Sequence, residues 1–116
     1  MKTQRLLLFL ILLPLQLCAA VAPENLAVGD WVFRAGTGRE SALIRYLDGG
    51  EYSHIGIVVA VAPEIRIVHA TTDDDPARPN QVIASSFSEF SAPPLAGKIA
   101  AARPVFLNES ERAQLA

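Results

Sequence analysis

Cysteine is nearly absent from this chain of 116 residues, and its single copy, Cys18, lies near the amino terminus. One cysteine forms no disulfide within a chain, which excludes a small domain held together by a disulfide framework. Charge is nearly balanced, since 10 basic and 12 acidic side chains leave a formal net charge of -2. This balance offers neither a basic field for nucleic acid nor a polybasic patch for an acidic membrane surface. We therefore expect a small globular protein with no nucleic-acid partner.

The first twenty residues have the layout of a secretory signal peptide. Lys2 and Arg5 precede the apolar run Leu6 to Leu13, and small residues end the segment at Ala20. A basic start, an apolar centre and a small-residue end are the three features of a cleaved leader. We predict a signal peptide over 1–20 and one exported domain over 21–116, located in the periplasm or outside the cell.

Two other fates of this segment are disfavoured. The apolar run is short and is broken at Pro14, which argues against a retained membrane anchor. Cys18 invites lipid attachment, but Leu17 stands before it, where lipoprotein processing prefers a small residue. The mature chain is then expected to contain no cysteine.

Residue patterns predict an α+β domain of short strands and short helices. Runs of β-branched and aromatic residues favour strands, and apolar residues at helical spacing favour helices. Helix starts are marked where Thr37, Ser86 or Asn108 is followed three residues later by a glutamate, the form of a capping box. In chain order, the predicted elements are a strand at 31–33, a helix at 39–48, strands at 54–61 and 65–69, a surface loop at 71–80, a short strand at 81–84, a helical turn at 87–90, a strand at 98–104 and a helix starting after Asn108.

The chain has two histidines, and both are predicted at strand ends. The residues from His54 to Val61 are apolar on both parities, which favours a central strand buried on both faces. Pro63 and Glu64 form a short turn into the next strand, so the two strands are predicted to pair as an antiparallel hairpin. The first residue of one arm and the last residue of the other lie at the same end of a hairpin. His54 and His69 are therefore expected to approach each other.

Three interpretations of the two histidines remain open. Imidazole suits general-base chemistry because its pKa lies near neutrality, and a polar partner at one ring nitrogen fixes the ring's orientation. The sequence pattern alone supports equally well a purely structural interpretation, in which each histidine only makes a hydrogen bond at a strand boundary. A metal site formed by both histidines with Asp73, Asp74 or Asp75 is the third hypothesis, although this spacing matches no familiar metal motif.

Several segments, taken in order, resemble one family of hydrolases. The segments are Gly29-Asp30 before the first strand, Tyr-Ser-His-Ile-Gly-Ile-Val at 52–58, Val-His-Ala at 68–70, and the weaker matches at 86–90, 103–104 and 108. This arrangement is similar to the circularly permuted branch of the NlpC/P60 papain-like hydrolases, the YiiX/YaeF-type proteins. The resemblance covers nearly all of residues 21–116.

The resemblance implies a papain-like fold, a small antiparallel sheet or half-barrel with flanking short helices. It also implies a cysteine amidase or peptidase that cleaves amide or ester bonds in cell-wall peptides or lipid-linked substrates and uses no cofactor. In this scheme the histidine of the Ser-His-x-Gly segment activates a cysteine thiolate, and a polar residue on the next strand orients that histidine. By position, His54 is the expected base and His69 the expected orienting residue.

One part of the family pattern has no counterpart in this sequence. In the permuted branch the nucleophilic cysteine follows the strands, whereas this chain has no cysteine after position 18. Cys18 lies in the predicted leader, and neither Ser85 nor Ser86, at a predicted helix start, carries a mark of an activated nucleophile. We expect a family member that is incomplete at its carboxyl end and inactive alone. A non-catalytic envelope-binding module and a His/Asp metal-dependent hydrolase remain the alternatives.

Overall fold

The computed structural model describes residues 21–71 and 77–116, so the predicted leader, Cys18 and the three aspartates at 73–75 lie outside the described residues. Within these ranges the chain forms an α+β fold built on one open sheet. No helix of the described part is long and apolar enough to span a bilayer. The elements are a 3₁₀ turn at Pro23–Asn25, then β1 (Trp31–Gly36), α1 (Arg39–Asp48), β2 (His54–Ala60), β3 (Arg66–Ala70), β4 (Val82–Ser86), α2 (Phe87–Phe90), β5 (Ala96–Ala102) and α3 (Glu109–Leu115).

The five strands lie in the order β4-β3-β2-β1-β5, and every neighbouring pair is antiparallel. The strand and helix predictions are confirmed, with bounds that shift by a few residues. The predicted hairpin is β2 and β3, in which Gly56 faces His69 and Val58 faces Ile67. β2 is therefore the central strand of the sheet, as its apolar sequence predicts.

The core lies on one face of the sheet, under the short helix α2. Val32, Val58, Ile67 and Phe90 are all at most 1 % exposed and form one cluster. The expectation that β2 is buried on both faces is wrong, because Ile55 is 48 % exposed. Successive side chains of a strand point to opposite faces, so Ile55 lies on the face that Phe90 does not cover.

The helix α1 begins differently from its prediction and ends as predicted. Its N-cap residue is Gly38, with no side-chain capping bond, so the predicted capping box of Thr37 and Glu40 is wrong. The Thr37 hydroxyl instead donates a hydrogen bond of 2.6 Å to the carbonyl oxygen of Pro94, outside the helix. At the other end Gly49 adopts a left-handed conformation, with φ of 70°, a backbone that glycine tolerates best.

The helices α2 and α3 begin with the predicted capping boxes. The Ser86 hydroxyl accepts a hydrogen bond from the Glu89 amide, while the Glu89 carboxylate accepts one from the Ser86 amide. Asn108 and Glu111 exchange the same two bonds at the start of α3. The first box matters for the core, because it fixes the single turn of helix that presents Phe90 to the sheet.

The Gly-Asp opening of β1 has a structural role. The buried Asp30 carboxylate accepts hydrogen bonds of 2.8 Å from the Ala27 amide and from Arg103, which follows β5. Burial raises the pKa of Asp30, but the hydrogen bonds from Arg103 and the Ala27 amide outweigh it, so the pKa is lowered overall. Gly29 has a φ of 86°, and a Cβ there would collide with Arg112 of α3. These residues join the start of β1 to the end of the chain.

Candidate functional site

The two histidines meet at one end of the sheet. His54 is the first residue of β2, and His69 stands on β3 opposite Gly56, two residues further along β2. Positions 54 and 56 share a face, so the imidazoles lie diagonally across the hairpin, with His54 Nε2 at 3.0 Å from His69 Nδ1. The prediction that the hairpin brings the two histidines together is confirmed. Their catalytic roles remain predictions.

Gly56 makes room for Ile67 and for an aromatic ring beside both imidazoles. A Cβ at position 56 would collide with Ile67 Cγ2 and would lie 3.3 Å from Phe90 Cε2. Ile67 takes this space, and the Phe90 ring packs beside it, with its centroid 5.0 Å from that of the His69 ring at an interplanar angle of 85° and 6.1 Å from that of the His54 ring. The glycine of the Ser-His-x-Gly segment therefore leaves space for Ile67 and for the Phe90 ring that holds both imidazoles from one side.

A third polar side chain continues the line of contacts. His69 Nε2 lies 2.9 Å from the Ser85 hydroxyl, and both residues are buried, with 6 % and 2 % of their surface exposed. Ser85 stands on β4 two residues after Ile83, which faces His69 in the β3-β4 pairing, so the Ser85 and His69 side chains share a face of the sheet. The sequence alone does not place Ser85 beside His69, because that contact depends on the register of β3 against β4.

Arg34 is a second residue of the site that the sequence did not predict. It faces His54 in the β1-β2 pairing and is only 3 % exposed. Its Nη1 donates a hydrogen bond of 3.1 Å to the Phe90 carbonyl oxygen, and its guanidinium carbon lies 4.8 Å from the centroid of the Phe90 ring. Arg34 is two residues from the buried Val32 on β1, so its side chain lies on the same core face of the sheet. A charged residue predicted on a core face is unusual, and this signal could have identified Arg34 as part of a site.

The environment of His69 keeps its imidazole neutral. Burial, followed by the positive charges of His54 and Arg34, lowers the pKa of His69 from 6.5 to about 4. At neutral pH the ring therefore carries one N–H group, so one ring nitrogen donates a hydrogen bond and the other accepts. With His54 on one side and Ser85 on the other, both nitrogens of His69 have a polar neighbour.

This lowered pKa predicts that destabilisation by acid begins near pH 6.5, above the range in which most carboxylates titrate. Between pH 6.5 and about 4 the unfolded chain holds a proton on His69 that the folded chain does not. The His69 contribution to stability is therefore complete above pH 6.5 and falls as the pH drops, by at most about 1.4 kcal/mol per pH unit. Urea unfolding at several pH values, compared between the wild type and His69→Gln, measures this slope. An identical slope in both proteins would contradict the assignment.

A cavity of about 220 Å³ lies beside the buried end of this line of contacts. The cavity is on the side of His69 that carries Ser85, and its wall includes charged and apolar side chains. The lining residues are Arg34, His69, Thr71, Arg78, Ile83, Ser85, Glu89, Ala92 and Leu95. A dry cavity of about 150 Å³ holds a molecule such as benzene, so this space is large enough for a small organic group.

The metal hypothesis gains no support from the part of the chain that is described. Residues 21–71 and 77–116 contain no group of three or more histidine, cysteine, aspartate or glutamate side chains that could hold an ion. Asp73, Asp74 and Asp75, the ligands that this hypothesis requires, lie outside the described residues.

Comparison with known proteins gives this chain no relatives. No family model matches its sequence, and neither the curated proteins nor the solved structures include a match. The resemblance to the NlpC/P60 hydrolases therefore depends on the sequence segments alone.

Proposed function

We propose that this protein is an exported hydrolase of the permuted papain-like type, in which His54 is the general base and His69 orients it. The contact of 3.0 Å between His54 Nε2 and His69 Nδ1 is the observation that carries the proposal. The Ser-His-x-Gly segment supports the family assignment, and residues 1–20 support export. The proposed substrates are amide or ester bonds in cell-envelope peptides or lipid-linked molecules.

The arrangement of the two rings suits a base that acts through its other nitrogen. Because His54 Nε2 is directed at His69, His54 Nδ1 is the atom assigned to the reacting group. His69 has a pKa of about 4, so it does not compete with His54 for a proton near neutral pH. A neutral His69 accepts a hydrogen bond from the Nε2–H group of His54 and stabilises the imidazolium that forms when His54 takes a proton.

The proposed reaction requires a thiol that residues 21–116 do not contain. His54 takes the thiol proton, the thiolate attacks the carbonyl carbon, and the proton returns to the leaving amine or alcohol. Water then hydrolyses the acyl-thiol intermediate. In this proposal the described residues supply the base and its orientation, and the chain alone is inactive toward both amides and esters.

Supplying the nucleophile from solution tests this proposal. The purified chain is mixed with p-nitrophenyl acetate and β-mercaptoethanol at a pH where the free thiol is mostly protonated. We expect the chain to accelerate release of p-nitrophenolate in proportion to the thiol concentration, above the thiol-independent rate that imidazole itself gives with this ester. No acceleration would refute the assignment of His54 as the base. Turnover without added thiol that iodoacetamide abolishes would assign the nucleophile to Cys18, the only cysteine of the chain, and would contradict the proposed inactivity.

A non-catalytic binding module is the second candidate, favoured by the cavity of about 220 Å³ beside His69 and Ser85. A binding module would retain cell-envelope peptide fragments and would accelerate no acyl transfer. Calorimetric titration with such fragments separates the candidates, because binding that is unchanged in His54→Gln, together with no thiolysis by the wild type, would favour the binding module.

A further inference from the structure

We propose that Ser85 is a positioning residue that sets the tautomer of both histidines. The inference rests on the proposed function, since it takes His54 as the base. Ser85 contacts neither His54 nor the position proposed for the reacting group, so its proposed effect on His54 acts through His69. Two atom pairs define the line: Ser85 Oγ lies 2.9 Å from His69 Nε2, and His69 Nδ1 lies 3.0 Å from His54 Nε2.

The direction of one hydrogen bond decides the protonation of both rings. If the Ser85 hydroxyl accepts, His69 carries its proton on Nε2, and its Nδ1 accepts a hydrogen bond from the Nε2–H group of His54. His54 Nδ1 is then unprotonated and can take a proton from a nucleophile. If the hydroxyl donates instead, His69 carries its proton on Nδ1 and donates to His54 Nε2. A neutral His54 then holds its own proton on Nδ1 and is no base at that atom.

Packing holds the middle ring of this line in place. The Phe90 ring meets the His69 ring nearly edge-on, at 85° and 5.0 Å between centroids, and His69 is only 6 % exposed. A buried ring in this position does not turn to find another acceptor for its Nε2–H group. His69 also has a hydrogen bond with the Ala70 backbone, and the proposal requires that the Ser85 hydroxyl is the acceptor of the Nε2–H group. Under the proposal, removal of the Ser85 hydroxyl leaves that group without its acceptor and lowers the share of the Nε2–H form.

The same observations argue against Ser85 as a nucleophile. Ser85 has no contact with His54, the residue proposed as the base, since its hydroxyl meets the ring of His69. Its only imidazole neighbour among the described contacts is His69, whose pKa of about 4 makes it a weak base. A neutral, poorly basic imidazole is suited to orienting His54 through a hydrogen bond, and it is poorly suited to deprotonating the Ser85 hydroxyl.

Nitrogen NMR of the purified chain, labelled with isotope at the histidine ring nitrogens, tests the inference at neutral pH. In the wild type we expect the Nε2–H tautomer at both His54 and His69. In Ser85→Ala the ratio of Nε2–H to Nδ1–H forms of His69 should fall about fivefold, the typical effect of one lost hydrogen bond. Ser85→Thr keeps the hydroxyl and should restore the wild-type ratio.

A matched control comes from the neighbouring serine. Ser88 is exposed, and its hydroxyl lies 3.0 Å from that of Ser86, so Ser88→Ala should leave both tautomers as in the wild type. An Nδ1–H tautomer of His69 in the wild type would overturn the inference, even if Ser85→Ala does not fold. Unchanged tautomers in a folded Ser85→Ala, or covalent labelling of Ser85 by a serine-directed phosphonate, would also overturn it.

The two proposals fail in different ways. The tautomers are read without any turnover, so the predicted NMR result together with no thiolysis would refute the base assignment and leave Ser85 as the residue that orders the rings. Thiolysis by the wild type with unchanged tautomers in Ser85→Ala would refute the role of Ser85 and leave the base assignment intact.

Discussion

Replacing His54 with glutamine is expected to lower thiol-dependent release of p-nitrophenolate by about 10²-fold, the lower end of what a positioned general base contributes. Glutamine keeps a polar side chain at the start of β2 but has no nitrogen that takes a proton near neutral pH. The amide can still meet His69, so the change removes basicity with little loss of packing. Rates are measured at fixed thiol concentration over a range of pH values.

A control for this variant lies at the other end of the same hairpin. Glu64 is exposed and pairs with Arg66 at 3.1 Å in the turn between β2 and β3, far along the strand from His54. Glu64→Gln should leave the thiolysis rate unchanged. Equal rates for His54→Gln and Glu64→Gln, with both proteins folded by circular dichroism, would show that the acceleration does not come from His54.

Truncating Phe90 to alanine is expected to cost about 3–5 kcal/mol of unfolding free energy, a large share of the total of about 5–15 kcal/mol for a small domain. The Phe90 ring is 1 % exposed and packs in the core cluster with Val32, Val58 and Ile67. It also contacts both imidazoles and lies under the Arg34 guanidinium. Its loss leaves a cavity and exposes these buried polar groups to water. Urea unfolding at neutral pH measures the change.

Phe106 offers the same substitution at an exposed position. Its ring is 72 % exposed and meets Trp31 at 6.3 Å between centroids, so Phe106→Ala should cost less than about 1 kcal/mol. A Phe90→Ala variant no less stable than Phe106→Ala would mean that α2 does not close the core. If Phe90→Ala remains partly folded, the pKa of His69 should move back toward its ordinary value, because burial is the main cause of its lowering.

The features that sequence predicts well in this protein are local. The β2-β3 hairpin follows from two apolar runs and a short turn, and the proximity of His54 and His69 follows from the hairpin. The capping boxes at Ser86 and Asn108 use bonds within one helical turn, which is why the sequence suffices to find them. The capping box predicted at Thr37 is wrong because the Thr37 hydroxyl donates to the carbonyl oxygen of Pro94. An acceptor so far away in the sequence leaves no local pattern that could predict the bond.

The features that sequence does not predict depend on pairing between distant segments. Ser85 reaches His69 only through the register of β4 against β3, and these strands are joined across residues 71–81. The Phe90 position over the imidazoles depends on that register and on the space left by Gly56. The burial of Ile55 was predicted wrongly for a related reason. An apolar strand sequence does not show whether another element covers each face of the sheet, and Ile55 is exposed.

The central claim is that the two imidazoles form one hydrogen-bonded pair, and coupling between their nitrogens across the hydrogen bond measures this most directly. Nitrogen NMR of the isotope-labelled chain should show a correlation that joins His54 Nε2 to His69 Nδ1, and the correlation should vanish in His54→Gln. Two sharp, well-resolved histidine spin systems with no such correlation, and with His69 titrating near 6.5, would contradict the account.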